Sequence, residues 1–105
     1  MYTIIETDMF QRYAAQVWQD DERLAFISWL ADNPLAGDVI PGTHGLRKVR
    51  WSRQGMGKRG GARVIYDNTL DDGTIWLLIV YTKAKFDNLP VALLNQLKEE
   101  VSHGG

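Results

Sequence analysis

Ala62-Arg-Val-Ile-Tyr-Asp-Asn-Thr-Leu-Asp-Asp-Gly-Thr-Ile-Trp-Leu-Leu-Ile-Val-Tyr-Thr-Lys83 reads as two strands and a tight turn. Ala62 to Thr69 gathers Val64, Ile65 and Tyr66, β-branched and aromatic side chains that suit a pleated, half-buried surface. Asp72-Gly73 is a hairpin signal, since the turn demands a backbone conformation that glycine adopts freely. Thr74 to Lys83 is apolar at consecutive positions from Ile75 to Tyr81. Such a run predicts a central strand with both faces covered. Upstream, Leu46 to Ser52 supplies a third strand, joined to the hairpin by a glycine-rich link that is long for a turn. The three strands form an antiparallel meander.

Outward from the meander the periodicity changes from two to about 3.6. Tyr2 to Glu6 is short and β-branched and predicts an initial strand. Thr7 or Asp8 caps a helix with Phe10, Tyr13, Ala14 and Val17 at helical spacing. Asp20, Asp21 and Glu22 open a second helix, where acids complement the positive helix end. Its apolar residues are Leu24, Ile27, Leu30 and Ala31, and Asn33-Pro34 stops it. Leu35 to Gly45, with three glycines and a proline, is a loop. After the meander, Asp87 or Asn88 caps a closing helix with Pro90 in its first turn and Leu93, Leu94, Leu97 and Val101 on one stripe. The expected order is β-α-α-β-β-β-α, an α+β domain with helices packed on a mainly antiparallel sheet. No repeat or linker divides it, so residues 1–105 are expected to form one domain.

The formal net charge of −1 hides a segregation. Between Val39 and Tyr66 there are seven basic residues, Arg47, Lys48, Arg50, Arg53, Lys58, Arg59 and Arg63, and no acid. The flanking segments carry −5 and −3. Trp51, Val49, Val64 and Ile65 interleave with the charges, so the basic segment is folded strand rather than tail, and like charge on a folded face costs self-repulsion. An anion-binding surface explains that cost. The chain has no cysteine, and His44 and His103 are too few and too far apart to suggest a zinc site. The N-terminus carries acids where a signal peptide needs positive charge, and the longest apolar run is far too short for a membrane span. The expected location is the cytoplasm.

Gly55-Met-Gly-Lys-Arg-Gly60 matches the three-glycine dinucleotide pattern in letters alone. That fingerprint needs a helix at its end, and here a strand follows. A phosphate-binding P-loop fails as well, because Arg59 stands where Ser or Thr must meet magnesium. No cofactor is expected. Alternation along Leu46 to Ser52 instead sends Lys48 and Arg50 to one face and Val49 and Trp51 to the other. Arg63 and Lys83 on neighbouring strands point to the same surface. Tyr66 and Tyr81 suit either base stacking or the core, more often the core. The basic segment holds no Glu, and its one His precedes the strand. Phosphoryl chemistry would then rest on lysine and arginine stabilising negative charge.

Leu46-Arg-Lys-Val-Arg-Trp51, Gly55-Met-Gly-Lys-Arg-Gly-Gly-Ala-Arg-Val-Ile-Tyr66, and Tyr81-Thr-Lys83 with Asp87-Asn-Leu89 together resemble the RelE-like toxins of bacterial type II toxin–antitoxin pairs, especially the HigB branch. The resemblance implies a ribosome-dependent mRNA endonuclease that works in the A site, needs no metal, inhibits translation, and is neutralised by a cognate antitoxin, often a helix-turn-helix protein. Carried over by position, Arg63 and Lys83 would stabilise the transition state. Lys48 and Arg50 would assist proton transfer or bind phosphate. Lys58, Arg59, Arg53 and Lys85 would bind RNA, with Phe86 available for stacking. The tyrosine or histidine that several family members place near the C-terminus has no counterpart here, which leaves the general base unassigned. Two alternatives share these features: a gyrase-inhibiting toxin resembling ParE, and a non-catalytic RNA-binding domain.

Overall fold

The computed structural model describes residues 2–51, 61–68, 73–86 and 88–102. Strand β1 (Thr3–Glu6) leads to helices α1 (Asp8–Val17) and α2 (Asp20–Asp32), then to strands β2 (Asp38–Val39), β3 (Arg47–Trp51), β4 (Ala62–Asp67) and β5 (Thr74–Thr82), and closes with α3 (Val91–Ser102). The five strands lie in the order β1-β5-β4-β3-β2. The meander β3-β4-β5 is antiparallel, and β1 joins β5 in parallel. This is the expected mainly antiparallel α+β architecture. One strand was not anticipated: β2 pairs two residues with β3 inside the stretch expected to be loop.

Thr7 explains where β1 ends and α1 begins. Its hydroxyl accepts from the Phe10 amide at 3.2 Å, capping the helix, and donates to the Leu77 carbonyl at 2.7 Å. The helix is thereby tied to the edge of β5 where β1 stops covering it. Asn33 ends α2, as expected. At the other end of the chain Pro90 stands just before α3 rather than within it, and its carbonyl accepts from the Leu93 and Leu94 amides.

Two cores form on the two faces of the sheet. Phe10 and Ala14 of α1 and Phe26 and Leu30 of α2 pack on Val49, Ala62, Val64, Tyr66, Ile75, Leu77 and Val80. On the opposite face Leu94 and Leu97 of α3 pack on Leu46, Ile65, Leu78, Ile79 and Tyr81. Burial of both faces is what the unbroken apolar run of β5 requires. Leu24 departs from the expected α2 stripe: it is 56% exposed, and Phe26 is buried in its place. Phe26 sits within ring-contact distance of Trp18, Trp29 and Trp51, so aromatic packing sets the helix rotation.

A β-bulge decides which β5 side chains face which helix. Ile65 is opposite Ile79, but Tyr66 is opposite Leu77, so Leu78 is an extra residue in β5. Ile75 and Leu77 face α1 and α2, whereas Ile79 and Tyr81 face α3. Without the bulge, period-two alternation would put all four on one side.

Candidate functional site

The alternation expected for β3 holds. Val49 is buried beneath α1 and α2 and Trp51 packs at the rim of that core, while Lys48 and Arg50 belong to the α3 face. Arg50 is directly opposite Arg63 on β4, and Arg63 is directly opposite Tyr81 on β5. The three residues form one row across the sheet, with neighbouring strands about 4.8 Å apart. Lys48, opposite Ile65, lies one step along the same face, two residues or about 7 Å from that row. The row lies toward the end of the meander from which the basic, glycine-rich link departs. Helix α3 covers the Leu46 and Ile65 end of this face. Arg50 is exposed and Arg63 and Lys48 are half-buried.

Two like charges directly opposite each other in an antiparallel ladder are destabilising. Among the described residues, neither Arg50 nor Arg63 has a carboxylate within ion-pair distance. Two other arginines, by contrast, are satisfied. Arg23 grips Glu6 with two hydrogen bonds of 2.7 and 2.8 Å, and Arg47, turned to the opposite face, donates to the Gly37 carbonyl at 2.6 Å. The Arg50–Arg63 row therefore concentrates positive charge that an anion would relieve.

Tyr81 completes the row from the buried side. It is 2% exposed, and burial pushes its phenol above the usual value of 10.0, with the nearby Arg63 charge pulling it back in part. At neutral pH the side chain is a neutral hydroxyl and a hydrogen-bond donor. No face could be read for Tyr81 from the residues alone, because a continuous apolar run carries no alternation; the bulge at Leu78 is what turns it toward the cations.

The remaining expected residues are placed less centrally. Lys83 lies one residue beyond the end of β5, exposed, in the turn that includes Lys85. That turn is closed by the Lys85 and Phe86 amides donating to the Thr82 carbonyl. Phe86 is half-buried, with its ring edge-on to Tyr81 at 6.0 Å and to Tyr13 at 6.2 Å. It supports Tyr81 by packing. Arg53, Lys58 and Arg59 lie outside the described residues. One neighbour went unnoticed in the sequence: Asp38, at the boundary of the acid-free segment, folds back opposite Lys48 through β2. Among the described residues no three His, Asp or Glu side chains gather as a metal site, and no helix is long and apolar enough to cross a membrane.

No protein-family profile matches the chain. Solved structures do. The E. coli toxin RelE, an arginine-to-alanine double mutant in the free state, superposes with a TM-score of 0.63 at 10% identity, over 92% of this chain and 96% of that one. The toxin–antitoxin complex RelBE2 from Mycobacterium tuberculosis contains a chain that superposes with a TM-score of 0.58 at 17% identity, over 77% of this chain and 96% of that one. At these identities the likeness is one of fold: this chain folds as the RelE toxins do.

Proposed function

We propose that this protein is the toxin of a type II toxin–antitoxin pair, a ribosome-dependent, metal-independent endoribonuclease that cuts mRNA in the A site and so stops translation in the cytoplasm. The observation that carries the reading is Arg50 directly opposite Arg63, without a carboxylate partner among the described residues and beside Tyr81. The fold shared with RelE supports it, and the Gly55 to Tyr66 motif inclines the reading to the HigB branch.

The chemistry is transesterification within RNA. A ribose 2′-hydroxyl attacks the adjacent phosphorus, the bond to the 5′-oxygen breaks, and the products are a 2′,3′-cyclic phosphate and a 5′-hydroxyl. The proton lost from the 2′-oxygen is matched by one gained at the leaving oxygen. Arg63 binds the scissile phosphate and stabilises the charge of the phosphorane-like transition state, with Lys83 reaching in from the turn after β5. Lys48 and Arg50 hold phosphate or assist proton transfer. Arg53, Lys58, Arg59 and Lys85 track the RNA backbone. Catalysis by preorganised cations depends on the substrate being held in line, which is the service a ribosome provides. The partner that restrains the protein is a cognate antitoxin, of helix-turn-helix type; RelBE2 is itself a toxin–antitoxin complex.

The test is primer extension on a defined mRNA in a reconstituted translation system, with and without ribosomes, comparing wild type with Arg63→Ala. Ribosome-dependent cuts that vanish in the variant are expected. Inhibition of DNA supercoiling without cuts would replace this reading with a gyrase-directed toxin, and graded, salt-sensitive RNA affinity without cuts would leave a binding domain.

A further inference from the structure

Beside the cationic row, between the sheet and the start of α3, lies a cavity of about 230 Å³. Lys48 and Ile65 enter it from the sheet, Leu89, Val91 and Leu94 from the α3 side, and Tyr81 and Asn88 add polar groups. An apolar cavity of about 150 Å³ accepts a benzene ring, and one water occupies about 30 Å³. The space here therefore suits one flat bicyclic heterocycle, whereas a drug-sized ligand needs about 300 Å³ or more. Its position is equally specific. Lys48 and Ile65 form the cross-strand pair next to Arg50 and Arg63, about 7 Å along the strands. Phosphate site and cavity are thus spaced like the two ends of one nucleotide.

Resting on the reading of the protein as an RNA-cleaving toxin, we propose that this cavity seats the purine base of the nucleotide whose phosphate the Arg50–Arg63 pair holds. Lys48, which both lines the cavity and neighbours the row, stays with the phosphate at their junction. The exposed Asn88 amide, which offers both donor and acceptor, meets the base edge at the mouth and discriminates between bases. Apolar side chains sandwich the ring, and a single-ring pyrimidine would leave part of the space unfilled and forfeit contacts. Tyr81, protonated at neutral pH, donates from the side shared with Arg63. The cavity is thus a specificity pocket, and its occupant helps set which codons are cut.

Methyl NMR reads the pocket without catalysis. Protein labelled at the methyls of Ile, Leu and Val is titrated with adenosine, guanosine and uridine 3′-monophosphates and with ribose 5-phosphate. Saturable shifts at Ile65, Leu89, Val91 and Leu94 are expected with the purine nucleotides alone. Val91 is 43% exposed, so Val91→Trp fills the mouth without burdening the core and should abolish those shifts. Asn88→Ala should weaken the preferred purine about tenfold. Equal shifts from uridine monophosphate, or the same shifts from ribose 5-phosphate, overturn the proposal. The two readings separate cleanly. Ribosome-dependent cutting with silent cavity methyls removes the pocket and keeps the nuclease; purine-specific methyl shifts without cutting keep the pocket and remove the nuclease.

Discussion

Arg63 stands between two partners of different character, Arg50 on one side and the buried phenol of Tyr81 on the other. Its removal should therefore have opposite effects on activity and stability. Arg63→Ala relieves a like-charge pair, so urea melts should show a stability unchanged or raised by up to about 1 kcal/mol. Ribosome-dependent cutting should fall by about 10²–10³-fold, the scale for losing one preorganised donor. Substantial destabilisation would mean that Arg63 is a structural residue. The tyrosines give a separate test. Burial raises both Tyr66 and Tyr81 above 10.0. Their contribution to stability is complete below that pH; above it the unfolded chain releases protons that the folded chain still holds, and stability declines. A Tyr66→Phe, Tyr81→Phe double variant should decline less steeply above pH 10. Tyr66→Phe has a further cost at neutral pH, because its hydroxyl accepts from the Gly37 amide and donates to the Pro34 carbonyl, each at 3.1 Å. Stranding the buried amide should cost about 1–3 kcal/mol by denaturant titration. The cations of β3 were legible because period-two alternation separates Lys48 and Arg50 from Val49 and Trp51. Tyr81 was not, since nothing in an apolar run marks the residue at which the face changes.

At the scale of elements, the site depends on two attachments. The first joins the β2 segment to β3. Gly37 lies so close to the strand that a Cβ would press into the Lys48 carbonyl, and the backbone there has no room to yield without moving Lys48 itself. Gly37→Ala should destabilise the fold and displace the Lys48 resonances in an amide spectrum, a change confined to β2 and β3 if this contact is the cause. The second attachment is an ion pair of 3.2 Å from Lys98 of α3 to Asp67 at the end of β4, where Asp67 is almost completely buried. Breaking a buried pair from one side costs up to about 3–5 kcal/mol, so Lys98→Ala should weaken the docking of α3 measurably in urea. The long elements were readable from sequence because each repeats its pattern several times. Strand β2 was not, for two residues between Gly37 and Ile40-Pro41 carry no period. The α2 stripe was misplaced at Leu24 for a different reason: the helix packs through large rings, and Phe26 among three tryptophans outweighs the spacing of its leucines.

For the molecule as a whole, charge segregation and the three-layer fold act together. The acid-rich segments supply both N-terminal helices and the closing helix, while the acid-free segment supplies β3 and β4, so a near-neutral chain exposes a cationic patch without becoming basic overall. Affinity for single-stranded RNA should fall with salt with a logarithmic slope near −0.7 for each phosphate engaged. Arg50→Ala should make that slope shallower by about 0.7; an unchanged slope would show that Arg50 meets no phosphate. The fold was recognisable because the order of elements and the meander are written in periodicity, whereas the neighbourhood of the cavity arises only when Lys48 of β3 meets the distant segment that carries Tyr81 and Asn88. The extra residue at Leu78 has a consequence for heritable change. Because it sets the parity of the end of β5, the identity of the residues there matters less than how many precede them. Loss of the single codon for residue 78 would straighten the ladder and leave Tyr81 opposite Arg63, whereas loss of the codon for residue 80 would turn Tyr81 away from the arginines, a rearrangement that no single base substitution could produce.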